Sequence, residues 1–130
     1  MRDEGLFTNN GLRFEHAGTL PVYRFEQLNG DPTLIHAVLT RLGGHSAAPY
    51  RSLNLGHSVG DDPTVVETNH ERVYRALDIT RSRVVTCHLT HSADTFVVRV
   101  ADGGRVVGRG EAMVTADAGL FLGMRFADCV

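Results

Sequence analysis

The sequence predicts an α+β fold in which a mixed, largely antiparallel sheet is flanked by helices. Three observations point there. Only one stretch, opening at Asp61-Asp62-Pro63, carries a helical period. Several short segments alternate bulky and polar residues or run apolar between turn signals, as strands do. Those segments follow one another without helices between them, the pattern of an α+β domain rather than of a βαβ array.

In chain order, residues 1–11 are polar and Gly/Asn-containing and are expected to fray. Leu12–His16 and Val22–Glu26 read as two strands joined by a turn at Ala17-Gly18-Thr19-Leu20-Pro21. Asn29-Gly30-Asp31-Pro32 is a dense turn signal, after which Leu34–Thr40 reads as a strand whose His36 is structural rather than a ligand. Thr40–Gly56 is too long and too rich in Gly, Pro and Ser for a simple connection. Such a loop is either an ordinary Ω-loop or a working one; Arg41, Ser46, Arg51, Ser52 and Asn54 would offer donors to phosphate or hydroxyl groups. Asp62 is a good N-cap and Pro63 a good first helical residue, with Val66, Asn69, His70, Val73, Ala76 and Leu77 on one face. Val84–His91 reads as a strand running into a short loop, Phe96–Val100 as the next, and Asp102-Gly103-Gly104-Arg105 as a hairpin-type turn. Ala112–Thr115 precedes a terminal strand over Gly119–Val130. That last strand ends without turn, cap or polar tail, so the chain reads as the front part of something longer.

Composition narrows the chemistry. The 130 residues suit one small domain. A formal net charge of -2 provides no basic stripe for a nucleic-acid backbone, so no nucleic-acid partner is expected. All 13 basic residues are Arg, which removes Schiff-base lysines and Walker-type phosphate binding. No secretory leader and no apolar run of membrane-spanning length is present, so a cytoplasmic protein without membrane contact is expected, and Cys87 and Cys129 read as free thiols.

His88 and His91 invite a metal reading, but residues three apart on a strand point to opposite faces. His91, where the strand ends beside Ser92-Ala93-Asp94, is the better candidate for metal binding or proton transfer. Cys129 is its complement. Imidazole and thiolate suit zinc, yet a catalytic site wants three protein ligands, and spacing alone identifies no third.

Six ordered blocks carry a resemblance: Thr40-Arg41-Leu42-Gly43-Gly44-His45-Ser46, Pro49–Gly56, Val59-Gly60-Asp61-Asp62-Pro63, Thr90-His91-Ser92-Ala93-Asp94, Glu111-Ala112-Met113-Val114-Thr115 and Ala127-Asp128-Cys129-Val130. From Leu34 to Val130 the chain closely resembles the YfiH family, long known as laccase-domain polyphenol oxidoreductases and now regarded as zinc-dependent purine nucleoside phosphorylases. The resemblance implies a layered α/β/β/α architecture, with residues 1–130 forming the N-terminal portion of a single domain. It also implies one zinc held by His91, Cys129 and a later His that has no counterpart in this sequence. Asp128 would orient a ligand or move a proton, and Arg41, Ser46 and Asn54 would bind substrate. The implied partners are a purine nucleoside and phosphate, with adenosine deaminase and methylthioadenosine phosphorylase activity as further expectations. The sequence departs from the family at Leu89 and Ser92 around the His, at Glu111 where Asp is usual, and at His70 where Arg is frequent.

Other readings stand beside this one. Family members include a peptidoglycan editing factor. Cys129 and His91 also suit a cysteine hydrolase. A copper polyphenol oxidase is disfavoured because the seven histidines are dispersed and Cys129 has no His neighbour. Alone, the chain could also be a fragment without activity.

Overall fold

The computed structural model describes residues 11–127, which fall into two compact units divided between Leu77 and Asp78. The class is α+β, as predicted.

In the first unit β1 (Leu12–Ala17) and β2 (Leu20–Phe25) form an antiparallel hairpin, and β3 (Val38–Leu39) pairs on the other side of β2. The hairpin turns on Gly18-Thr19, where Gly18 takes φ 57°, and Ala17 stands opposite Leu20. Phe14 and Tyr23 face each other across the strands in an edge-to-face pair, centroids 5.4 Å apart. The inner face carries Ala17, Leu20 and Val22 into a core with Leu53 and Val73. That core exists because the helix brings an apolar stripe to the sheet. Helix α1 (Pro63–Leu77) starts where the capping signal placed it: the Asp62 carboxylate accepts the Thr64 N–H at 2.8 Å. Val66, Asn69, His70 and Val73 are buried, and Ala76 and Leu77 pack partly buried against the core, so the expected face is the observed one.

Two expectations for this unit change. Leu34–Thr40 forms only the two-residue β3, because side chains replace ladder bonds: His36 Nε2 accepts the Phe25 N–H at 2.8 Å and Arg24 donates to the His36 carbonyl. His36 is thus structural, as expected. Residues 1–11, expected to fray, lie outside the described residues except for Gly11, whose carbonyl accepts the Glu26 N–H at 2.8 Å.

The second unit has β4 (Val84–His88), β5 (Thr95–Val97), β6 (Val106–Arg109), β7 (Ala112–Val114) and β8 (Phe121–Gly123). Here the pairing is parallel. β4 is central between β6 and β8, and β5 pairs with β7. Val84, Val85 and Cys87 are buried, which is why this run reads as continuously apolar rather than alternating. The hairpin expected at Asp102–Arg105 does not form. Instead Val100–Asp102 is a single 3₁₀ turn, its start held by Asp102 accepting the Arg99 N–H (2.9 Å) and Asp117 accepting the Val100 N–H (2.8 Å). The glycines serve close approach: a Cβ on Gly103 would lie 2.2 Å from the Ser82 carbonyl oxygen, and the Gly104 N–H donates to Val84 O at 2.8 Å. The terminal strand is shorter than expected, ending at Gly123. No described helix is long and apolar enough to cross a membrane.

Leu20 is fully buried in the first core. Leu20→Ala should lower stability by about 3 kcal/mol, seen as a reduced denaturant midpoint at unchanged slope; an unaltered midpoint would show that the core does not depend on it.

Candidate functional site

The long loop of the first unit is organised by one buried amide. Asn69, on α1, donates through Nδ2 to Ser46 Oγ (2.9 Å), Asn54 O (2.9 Å) and Ser52 O (3.4 Å), while its Oδ1 accepts the His45 N–H (2.8 Å). The Ser46 hydroxyl in turn donates to Asp61 Oδ2 at 2.6 Å, and Asn54 Nδ2 donates to the same oxygen at 3.1 Å. The Ser46 hydroxyl and the Asn54 amide therefore hold the Asp61 carboxyl below its ordinary range, against a smaller opposing effect of burial, with the Asp62 N–H helping. Close approach is again secured by glycine: a Cβ on Gly44 would lie 2.2 Å from Ser52 O and 2.7 Å from Asn69 Oδ1. His70 continues the line, its Nε2 at 2.8 Å from Leu55 O and Nδ1 at 3.2 Å from the Tyr74 hydroxyl.

The three loop residues expected to bind substrate therefore differ in setting. Ser46 is buried and Asn54 half-buried, and both are joined through Asp61 and Asn69. Arg41 is exposed; its Nε and one terminal nitrogen donate to Arg51 O at 3.0 and 2.8 Å, and its own carbonyl accepts the Ser52 and Leu53 N–H groups.

In the second unit β4 stops at His88 and the chain turns through Leu89-Thr90-His91-Ser92. His91 is exposed and adopts φ 56°, a left-handed conformation uncommon outside glycine. The turn is laced by the Thr90 and Ser92 hydroxyls, 3.3 Å apart, and by the Asp94 N–H donating to Ser92 Oγ at 3.2 Å. Glu111, immediately before β7, sends its carboxylate into this corner and accepts the Thr90 N–H in a short bond. That bond holds the Glu111 carboxyl below its ordinary range; burial opposes it, and the Ser92 and His91 N–H groups and the His91 imidazole add to it. The main chain ties the same segments together, with Gly110 N–H to His88 O at 2.9 Å and Glu111 N–H to Asp94 O at 2.8 Å.

Cys87 is a free thiol buried beside this corner, 3.6 Å from Gly110 O and 3.5 Å from Met124 Sδ, and burial followed by the Glu111 charge pushes its thiol up. Such a thiol is a packing residue rather than a nucleophile. The other expected site residues, Asp128 and Cys129, lie outside the described residues. Among the described residues no group of three or more His, Cys, Asp or Glu is placed to hold a metal ion. An exposed imidazole on a fixed corner is a suitable donor for zinc, and the thiolate expected to join it is another. Asn69 and Asp61 were not among the expected site residues, although a polar residue on the apolar face of α1 signals a buried hydrogen-bonding role. Glu111 gives no such local sign, since its partners lie some twenty residues earlier.

An α+β chain with a His-bearing corner after a central strand and a Gly-Gly loop capped by a helix matches one known class. A family model described as multi-copper polyphenol oxidoreductase laccase matches residues 35–130, and the chain belongs to that family. A purine nucleoside phosphorylase of Streptomyces coelicolor is 48% identical over 90 residues, covering 69% of this chain and 37% of that protein. The crystal structure of YlmD from Geobacillus stearothermophilus superimposes with a TM-score of 0.76 at 31% identity, covering 89% of this chain and 45% of that one. Bacillus licheniformis YfiH gives a TM-score of 0.80 at 26% identity, covering 92% and 45%. The chain thus spans less than half the length of these relatives.

Asn69→Ala leaves the His45 N–H and its neighbours without a partner and should cost about 2 to 3 kcal/mol, measured by chemical denaturation. Asp61 supplies a pH test. Because its folded-state pKa is depressed, its contribution to stability is fully present above the ordinary carboxylate range, about pH 4, and fades as pH falls through the lower folded value. Asp61→Asn should therefore flatten the acid limb of the thermal midpoint against pH; identical limbs in both proteins would remove Asp61 from the account.

Proposed function

We propose that the protein to which this sequence belongs is a purine nucleoside phosphorylase that uses a single zinc ion, with His91 and Cys129 among its ligands. The observation that carries the reading is the kinship to a protein named purine nucleoside phosphorylase at 48% identity. Supporting it is His91, exposed on a corner fixed from several sides. When bound, zinc would supply a Lewis acid toward an oxygen of water or phosphate.

The chain's own residues divide the remaining work. His91 presents a nitrogen donor at a set position. Glu111 accepts the Thr90 N–H, so its carboxylate braces the corner's backbone rather than being offered as a ligand. Arg41 keeps a guanidinium at the exposed edge of its loop, a suitable group for a phosphate or ribose oxygen, whereas Ser46 and Asn54 hold that loop in shape. Adenosine deamination and methylthioadenosine phosphorolysis are the finer activities proposed. The substrates are a purine nucleoside and phosphate, and the setting cytoplasmic.

The family's name as a multi-copper polyphenol oxidoreductase favours a second reading, a copper polyphenol oxidase. Metal analysis of the purified protein separates the two: zinc without copper is expected. With inosine or adenosine, release of free base should require phosphate, and His91→Ala should reduce it at least a hundredfold together with bound zinc. Undiminished phosphorolysis in His91→Ala, or copper with phenol oxidation in its place, would overturn the proposal.

A further inference from the structure

We infer that Glu111 is a positioning residue for His91, its carboxylate accepting the Thr90 N–H at the start of the left-handed corner and so fixing where the imidazole stands. This rests on the reading of His91 as a metal ligand. Successive N–H groups around a left-handed residue form a concave nest that favours an anion. Here φ 56° at His91 makes the corner, and the anion is internal. The Thr90 N–H donates to Glu111 Oε1, and the Ser92 and His91 N–H groups act on the same carboxylate.

The carboxylate is itself placed from both sides. The Gly110 N–H is bonded to the residue that ends β4, and the Glu111 and Ala112 N–H groups to Asp94 beyond the corner, at 2.8 and 3.3 Å. Glu111 therefore cannot shift without breaking main-chain bonds. Remove its charge, and the aligned N–H dipoles face one another with nothing between them. The left-handed conformation, costly for a residue with a Cβ, then loses its support. His91 would be released to other backbone conformations, with the imidazole displaced. Glu111 touches no reacting atom in this account; its effect passes through His91.

The test is zinc affinity, measured on the purified protein by competition with a chromophoric chelator well below each variant's melting temperature, with backbone amide NMR of Thr90, His91 and Ser92. Glu111→Ala should weaken zinc about 10- to 100-fold, the range for losing support behind a metal ligand. Glu111→Gln is isosteric, retains an acceptor for one N–H and should fall between; both should shift the Thr90 amide proton upfield. Glu111→Ala and Glu111→Gln with wild-type zinc affinity, alongside a His91→Ala that loses zinc, would overturn the positioning role. A His91→Ala that keeps its zinc affinity would sink the metal reading instead. The amide shifts then decide alone: movement in Glu111→Gln upholds the positioning role and no movement overturns it.

Discussion

The constraint on which this structure depends is the need to satisfy backbone groups in segments that are neither helix nor strand. Thr40–Gly56 has few ladder bonds, and its donors and acceptors turn inward against a helix. One amide, Asn69, answers several of them at once, accepting from His45 and donating to Ser46, Ser52 and Asn54. Because Asn69 is buried, with water kept from its amide, each of these bonds is worth more than at a surface and costs more when broken. Gly44 follows from it, since a side chain there would occupy the space that the Asn69 oxygen and the Ser52 carbonyl require.

The second unit solves the same problem with charge. Glu111 plays toward Thr90 the part that Asn69 plays toward the long loop: a side chain held beside a strand completes an irregular segment. The two devices differ in consequence. A neutral amide can donate and accept at once and so knits a loop whose groups point both ways, whereas a carboxylate only accepts and suits a corner whose N–H groups converge. Asp61 stands between these cases, an acceptor for one hydroxyl and one amide that also precedes the helix cap.

Legibility in the sequence followed the range of the interactions. Helix α1 was readable because its cap, first-turn proline and apolar face are all local. The α+β class and the β1–β2 hairpin were readable for the same reason. The parallel pairing of β4 with β6 and β8 was not, because partner choice between distant strands leaves no mark in either strand's own pattern. Asp102–Arg105 misled because Gly-Gly signals conformational freedom without saying whether a turn or a close approach uses it. Of the candidate site, the six blocks led to His91 and to the Gly-Gly loop. They did not reveal that Ser46 turns inward, nor that Glu111 reaches back to Thr90, since both depend on contacts across 15 or more positions.

The left-handed backbone at His91 gives this position an unusual place in any search for sturdier variants. Glycine adopts that conformation at no steric cost, so on folding grounds alone it is the better residue, by about 1 kcal/mol. A screen that rewarded thermal stability would drift toward glycine here and discard the imidazole with it. The corner thus holds a side chain that the backbone would rather do without.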